Sequence, residues 1–141
     1  MKPFWKNERF QLRWCEPLGE AHCPYAYRWV LIFFDYSIRV HHFLRSEPIE
    51  HQHDHSWNFV TCILRGGYLD VSPQYIDKCT AGSIRYRRAE HVHNLILPKG
   101  KSCWTLLFCS RPRRKWGFWV NGVLKRPLKY FHKFGYIPCQ E

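Results

Sequence analysis

The feature that most constrains this chain is its rhythm: short apolar and aromatic runs, broken repeatedly by Gly, Pro or Asp. Runs of that length bounded by turn residues favour strands over helices. The pattern predicts strands at residues 10–14, 27–34, 37–43, 58–65, 67–71, 83–87, 93–97, 103–109 and 116–120. Turn signals fall at Arg65-Gly66-Gly67, Ala81-Gly82, Pro98-Lys99-Gly100 and Asn121-Gly122, the last a strong hairpin dipeptide. Many short strands at this spacing predict an all-β sandwich or barrel. The aromatic content of 18% suits such a fold, because rings pack well on pleated surfaces. Only the segment after Leu124 resists this reading; an ordered tail or a short helix over 128–133 is expected there.

At 141 residues the chain can bury one core without staples. No repeat, linker or low-complexity tract divides it, so a single domain over 1–141 is expected, with a core over about 27–120 and an extension over 121–141. The longest apolar run, 29–34, ends at Asp35, far short of the ~20 residues that cross a bilayer. The first ten residues mix Lys2, Lys6, Glu8 and Arg9 with aromatics and do not form the apolar stretch of a secretory leader. A soluble, cytoplasmic protein without membrane contact is the expectation. The seven cysteines are odd in number and contain no C-x-x-C pair, which points to free thiols.

Twenty-two Lys and Arg against 11 Asp and Glu leave a formal charge of +11. From Arg111 to Lys133 there are eight basic residues and no acid, interleaved with Trp116, Phe118, Trp119, Tyr130 and Phe131. Such a stretch can track a nucleic-acid backbone and stack bases, with Arg113, Arg114 and Lys115 as the contacts. It equally suits edge strands whose lysines prevent aggregation, and a basic balance alone reports weakly on partners.

Of nine histidines, five fall in two tight groups: His51, His53 and His55, then His91 and His93. In an extended segment, side chains two apart share a face, so His53 and His55 point one way and Asp54 the other. Two imidazoles fixed on one segment are half of a metal site, and a third from a neighbouring strand would leave open positions for water or substrate. Imidazole ligands select a divalent transition metal, zinc or iron first, over magnesium or calcium. His41 ends the strand before the cluster and can line the same cavity; His22, His42 and His132 read as ordinary histidines.

His53-x-His55, then Phe59 and Gly66, follow the spacing of the first cupin motif. The chain further resembles small bacterial and phage cupins in Arg45-Ser46-Glu47, His53 to Phe59, Gly66-Gly67-Tyr68, Arg88-Ala89, His93, Cys103 to Leu106 and Trp116-Gly117-Phe118. The resemblance covers roughly residues 37–120 and implies a double-stranded β-helix, the cupin jelly-roll barrel. It makes His53, His55 and His93 the metal ligands. His91 is the alternative third ligand, sharing a strand face with His93. Phe59 stands where these motifs carry a glutamate ligand, Glu47 where they carry a glycine, and Arg85 where the second motif has its histidine. A three-histidine site is the form that remains.

The function expected is that of a metal-dependent enzyme acting on a small, anionic molecule, with oxygenase-like or isomerase-like chemistry. A non-catalytic metal- or ligand-binding module whose basic surface contacts nucleic acid or a protein partner is the alternative. Tyr68, Tyr86 and Arg88 are the candidates for orienting substrate, and the resemblance places Trp57, Arg88 and residues 116–118 near the cavity. Homodimerisation is expected, since cupins pair through their sheets and aromatic surface is in surplus.

Overall fold

The computed structural model describes residues 5–6, 9–20, 22–47 and 51–134. The strands are β1 (Trp5–Lys6), β2 (Phe10–Glu20), β3 (Cys23–Phe33), β4 (Tyr36–Phe43), β5 (Phe59–Arg65), β6 (Gly67–Val71), β7 (Ile76–Thr80), β8 (Ile84–Arg87), β9 (Asn94–Ile96), β10 (Cys103–Cys109), β11 (Phe118–Val120) and β12 (Val123–Lys125), followed by helix α1 (Pro127–Phe134). They form a large sheet in the order β1-β2-β3-β4-β10-β5-β8, a small sheet β7-β6-β9 and a hairpin β11-β12. All pairings are antiparallel.

The two sheets pack face to face. Ala26, Phe43, Ile63 and Cys103 of the large sheet meet Tyr68, Cys79, Leu95 and Leu97 from the small one and its continuation, all of them buried. Along β5 and β10, buried residues alternate with half-buried or exposed ones, the period-2 pattern of a sheet with one face inward. Beyond this packed end the inner faces separate around a cavity of about 390 Å³.

The expected all-β jelly-roll architecture is the one observed, and most strands lie within a residue or two of their expected bounds. Three differences have clear causes. β2 runs on to Glu20 because its pairing with β3 absorbs irregularities between Arg13 and Glu16 and between Leu18 and Gly19, with Cys15 at a φ of 47°; Pro17 and Gly19 look like loop residues, yet bulges accommodate such residues within a ladder. β7 carries Asp77 and Lys78 on an exposed edge and so shows no apolar alternation. Residue 93 belongs to an isolated bridge with residue 53 and precedes β9. Helix α1 spans the segment where a short helix was expected, and the Asn121-Gly122 turn joins β11 to β12 with φ of 51° and 76° at its two residues, the positive pair of a two-residue hairpin loop.

Cys15, Cys62, Cys79, Cys103 and Cys109 are free thiols, as expected. Cys23 is not: it is disulfide-bonded, so cysteine usage no longer supports a reducing compartment. No helix among the described residues is long and apolar enough to cross a membrane.

Gly66 turns the chain between β5 and β6 at a φ of +78°, and a Cβ there would collide with the Ser102 carbonyl. Gly66→Ala is therefore expected to destabilise the protein by roughly 1–3 kcal/mol, read as a lower urea midpoint, whereas Gly82→Ala, with open space around it, meets only the backbone term.

Candidate metal centre

Residues 52–55 form no regular strand, yet their backbone is paired on both sides. His53 N–H donates to the His93 carbonyl at 3.1 Å and His93 N–H to the His53 carbonyl at 2.9 Å. His55 N–H donates to the Ala89 carbonyl at 3.0 Å, Asp54 N–H to the Gly117 carbonyl at 3.1 Å, and Trp119 N–H to the Gln52 carbonyl at 2.9 Å. The segment thus lies between residues 89–93 and β11. Side chains alternate as expected: the rings of His53 and His55 share one side, and Asp54 is buried on the other. Its carboxylate accepts Gly117 N–H at 2.9 Å and Trp119 Nε1–H at 3.0 Å, and pairs with Arg114 at 2.7 Å.

The result is a tight histidine triad. Ring centroids lie 5.3 Å apart for His53 and His55, 5.0 Å for His53 and His93, and 4.9 Å for His55 and His93. One side-chain nitrogen from each lies within 4.8 Å of the others. His93 Nδ1 donates to Asp70 Oδ1 at 3.0 Å, and His53 Nδ1 lies 3.3 Å from Asn94 Oδ1; such partners fix the tautomer and turn the other nitrogen outward. His55 Nδ1 is buried with no partner. An imidazole nitrogen buried without a partner, beside two rings oriented by their outer hydrogen bonds, is a donor set that fits a transition-metal cation.

Electrostatics keep these nitrogens available. Burial, then the neighbouring rings of His93, His53 and His91, hold His55 well below the usual histidine range; burial also lowers His93, against the opposing Asp70 hydrogen bond. Neutral imidazoles are what coordination needs. Asp70 is their counterweight. Burial alone would raise its pKa, but hydrogen bonds from His91 and His93 prevail and hold it far below the carboxylate range. His91 sits beside His93, centroids 4.7 Å apart, with its Nε2 turned onto Asp70 at 3.0 Å. It therefore belongs to a second group, Asp70-His91-His93, in which Arg87 also reaches Asp70 at 3.2 Å.

The cavity beside the triad is lined by Trp57, Phe59, Tyr68 and Trp116 and by the polar groups Arg28, Arg39, His41, Glu47 and Thr105. Tyr68 is buried in this wall. Tyr86 and Arg88 are not there. Alternation along β8 sends Arg85 and Arg87 inward to Asp77 and Asp70, leaving Tyr86 60% exposed and the Arg88 side chain 71% exposed beside Glu90. Arg113 and Arg114 are held internally, Arg113 by Asn58 and Glu90 and Arg114 by Asp54. Asp70 and Arg39 escaped the sequence reading, and Glu47 entered it only through the resemblance, with no role at the site. Asp70 had a faint signal, an acid two residues after Tyr68 on the same strand face; Arg39 had none.

The sequence matches no protein-family model and no curated protein. Solved structures share its fold. A cupin-2 domain protein of Rhodospirillum rubrum aligns at a TM-score of 0.58 and 14% identity over 94% of this chain and 88% of that one. AerE of Microcystis aeruginosa aligns at 0.56 and 15% identity over 76% of this chain, which spans only 49% of AerE. HppE, solved with Fe(II) and an alternative substrate, aligns at 0.51 and 12% identity over 64% of this chain and 52% of that one. The chain has the cupin fold, and its buried histidine cluster fits a metal-binding cupin.

His41, deep in the cavity, is held down to about pH 3 by burial and by Arg39 and Arg28, so it folds neutral. Its pKa is lower in the folded than in the unfolded state, so the stability it confers is present above ~6.5 and is lost as pH falls toward the folded value. The unfolding free energy of wild type, from denaturant titrations, is expected to fall between pH 6 and pH 4 by roughly 1 kcal/mol per unit more than that of His41→Asn; equal slopes would contradict this.

Proposed function

We propose that this protein is a metal-dependent cupin enzyme acting on a small molecule, with His53, His55 and His93 holding one divalent transition metal, zinc or iron. The observation that carries the reading is the triad itself: three imidazoles from two chain segments, ligand nitrogens within 4.8 Å, at the wall of a cavity of substrate size. A metal there supplies Lewis-acid polarisation of a carbonyl or carboxylate, or dioxygen binding if it is iron. The protein's own part is to exclude bulk water with Trp57, Phe59 and Trp116, and to fix the ring of His93 through Asp70. Phe59 leaves three imidazoles without a glutamate at that position, which keeps coordination positions open.

Elemental analysis of untagged protein checks this. About one equivalent of metal is expected in wild type and a large loss in His53→Ala, His55→Ala and His93→Ala. Asp70→Asn, which removes the outer partner of His93, is expected to weaken metal affinity by about 10–100-fold. Equal substoichiometric metal in wild type and His53→Ala would end the reading.

We further propose a homodimer through the outer face of the large sheet. Because Arg28, Val30, Arg39, His41, Thr61, Thr105 and Leu107 face the cavity, their strand neighbours face outward. These are Trp29, Leu31, Ile38, Val40, Val60, Cys62, Leu64, Leu106, Phe108, Ile84 and Tyr86, in register across five strands and without one charged residue. On a chain of charge +11, a charge-free face lets a second copy approach without apposing like charges. Light scattering is expected to give twice the 17.2 kDa chain mass, and Phe108→Glu combined with Ile84→Glu to give a monomer with unchanged metal content.

A further inference from the structure

The cavity wall opposite the hydrophobic end contains three guanidiniums, and they are not equivalent. Arg28 pairs with buried Glu16, donating Nε–H to Oε1 at 2.7 Å, and Arg13 reaches the same carboxylate at 3.5 Å. Arg39 has no acid. Its Nε–H donates to Ser37 Oγ at 3.1 Å, the Cys109 thiol lies beside it, and its guanidinium carbon sits 4.8 Å from the Trp57 ring centroid. Among the described residues, no carboxylate neutralises it. A largely buried guanidinium retains its charge at neutral pH, and burying such a charge without a counter-ion is expensive. Burial does push Arg39 down, to about 10, still well on the charged side of neutrality.

A second polar group in the same wall is also unsatisfied. Thr105 Oγ1 is buried, the residue being 1% exposed, and has no hydrogen-bond partner. Thr105 and Arg39 lie on adjacent paired strands, β10 and β4, and both line the cavity. Arg39 is linked to the histidine triad through one indole: Trp57 lies 5.5 Å from the His55 ring and Arg39 stacks on Trp57. A guanidinium without a counter-ion, a buried hydroxyl without a partner and the histidine triad therefore line one cavity. Unsatisfied buried groups are rare in folded proteins and call for a partner.

We propose that Arg39 is the anchor for the carboxylate of a small organic acid, bound in this cavity against Trp57 with Thr105 within its reach. The charge count selects the ligand class. Two carboxylates, Glu16 and Glu47, stand against the guanidiniums of Arg13, Arg28 and Arg39, so one positive charge is left over, which matches a singly charged planar carboxylate with its bidentate geometry. A phosphate carries close to two charges, more than that surplus. The inference deepens the proposed function by naming the substrate class, and it rests on the cavity of that reading and not on the cation.

The test uses benzoate, cinnamate and indole-3-acetate, each beside its neutral primary amide, with phenylphosphonate as the phosphate-like probe. Binding is followed by calorimetry and by the Trp57 indole N–H resonance. Wild type is expected to bind at least one carboxylate roughly tenfold or more tighter than its amide, with the Trp57 signal moving. Arg39→Gln is expected to abolish that preference while leaving metal content unchanged. Arg39→Lys, which keeps charge without the planar fork, is expected to retain a reduced preference and serves if the glutamine variant does not fold. Wild type without carboxylate preference, a preference that survives Arg39→Gln, or tighter binding of phenylphosphonate than benzoate would each overturn the assignment. Metal measured on the same samples separates the two readings. Carboxylate preference in metal-free wild type sinks the metal and spares the anchor, whereas bound metal without carboxylate preference does the reverse.

Discussion

Everything at the site depends on a reciprocal pair of backbone hydrogen bonds, His53 with His93. In an antiparallel hydrogen-bonded pair, opposite side chains stand on the same face about one ring-width apart. Two imidazoles are therefore brought together by main-chain geometry, before any ligand is considered. His55 joins them by alternation along its own segment. The segment holds this geometry, although too short and irregular to count as a strand, because Asp54 is tied on the reverse side to Gly117, Trp119 and Arg114. One carboxylate facing away from the site thus keeps two histidines facing into it.

The polar shell follows the same logic of paired faces. β6 sends Tyr68 and Asp70 inward two residues apart, one to the cavity wall and one to His91, His93 and Arg87. Asp70 is the hub where an anion is compensated by one guanidinium and two imidazoles, and the compensation keeps its charge fixed in a place where burial alone would favour the neutral form. The contrast with Arg39 is instructive. Both are charged and largely buried; one is compensated by protein groups and the other is not. That asymmetry, more than the cavity's shape, separates the structural part of the charge network from the part available to a ligand.

Much of this was legible in the sequence. Alternation over residues 59–65 and 103–109 identified central strands because one face is buried there, and Asn121-Gly122 identified a hairpin because both residues tolerate positive φ. The His53-x-His55 spacing announced a shared face. What could not be read depends on register. Tyr86 and Arg88 differ from Arg85 and Arg87 by one residue, and only the pairing of β8 with β5 decides which set points inward. Arg39 stands in an apolar strand, where a lone arginine looks like a solvent-facing residue; its direction is fixed by Arg39 pairing with Val30 and Leu107. β7 was invisible because its covered face carries Asp77 and Cys79 while its exposed face carries Ile76, so polarity there does not follow burial.

The clamp around Asp54 joins parts of the chain that are far apart, Asp54 and Trp119 being separated by 65 residues. The pairing of β4 with β10 is just as remote, Ser37 and Cys109 being register partners. The barrel and the backing of its histidines therefore draw on the same C-terminal third of the chain. A chain cut before Gly117 and β11 would lose two of the groups that grip Asp54, and with them support behind His53 and His55.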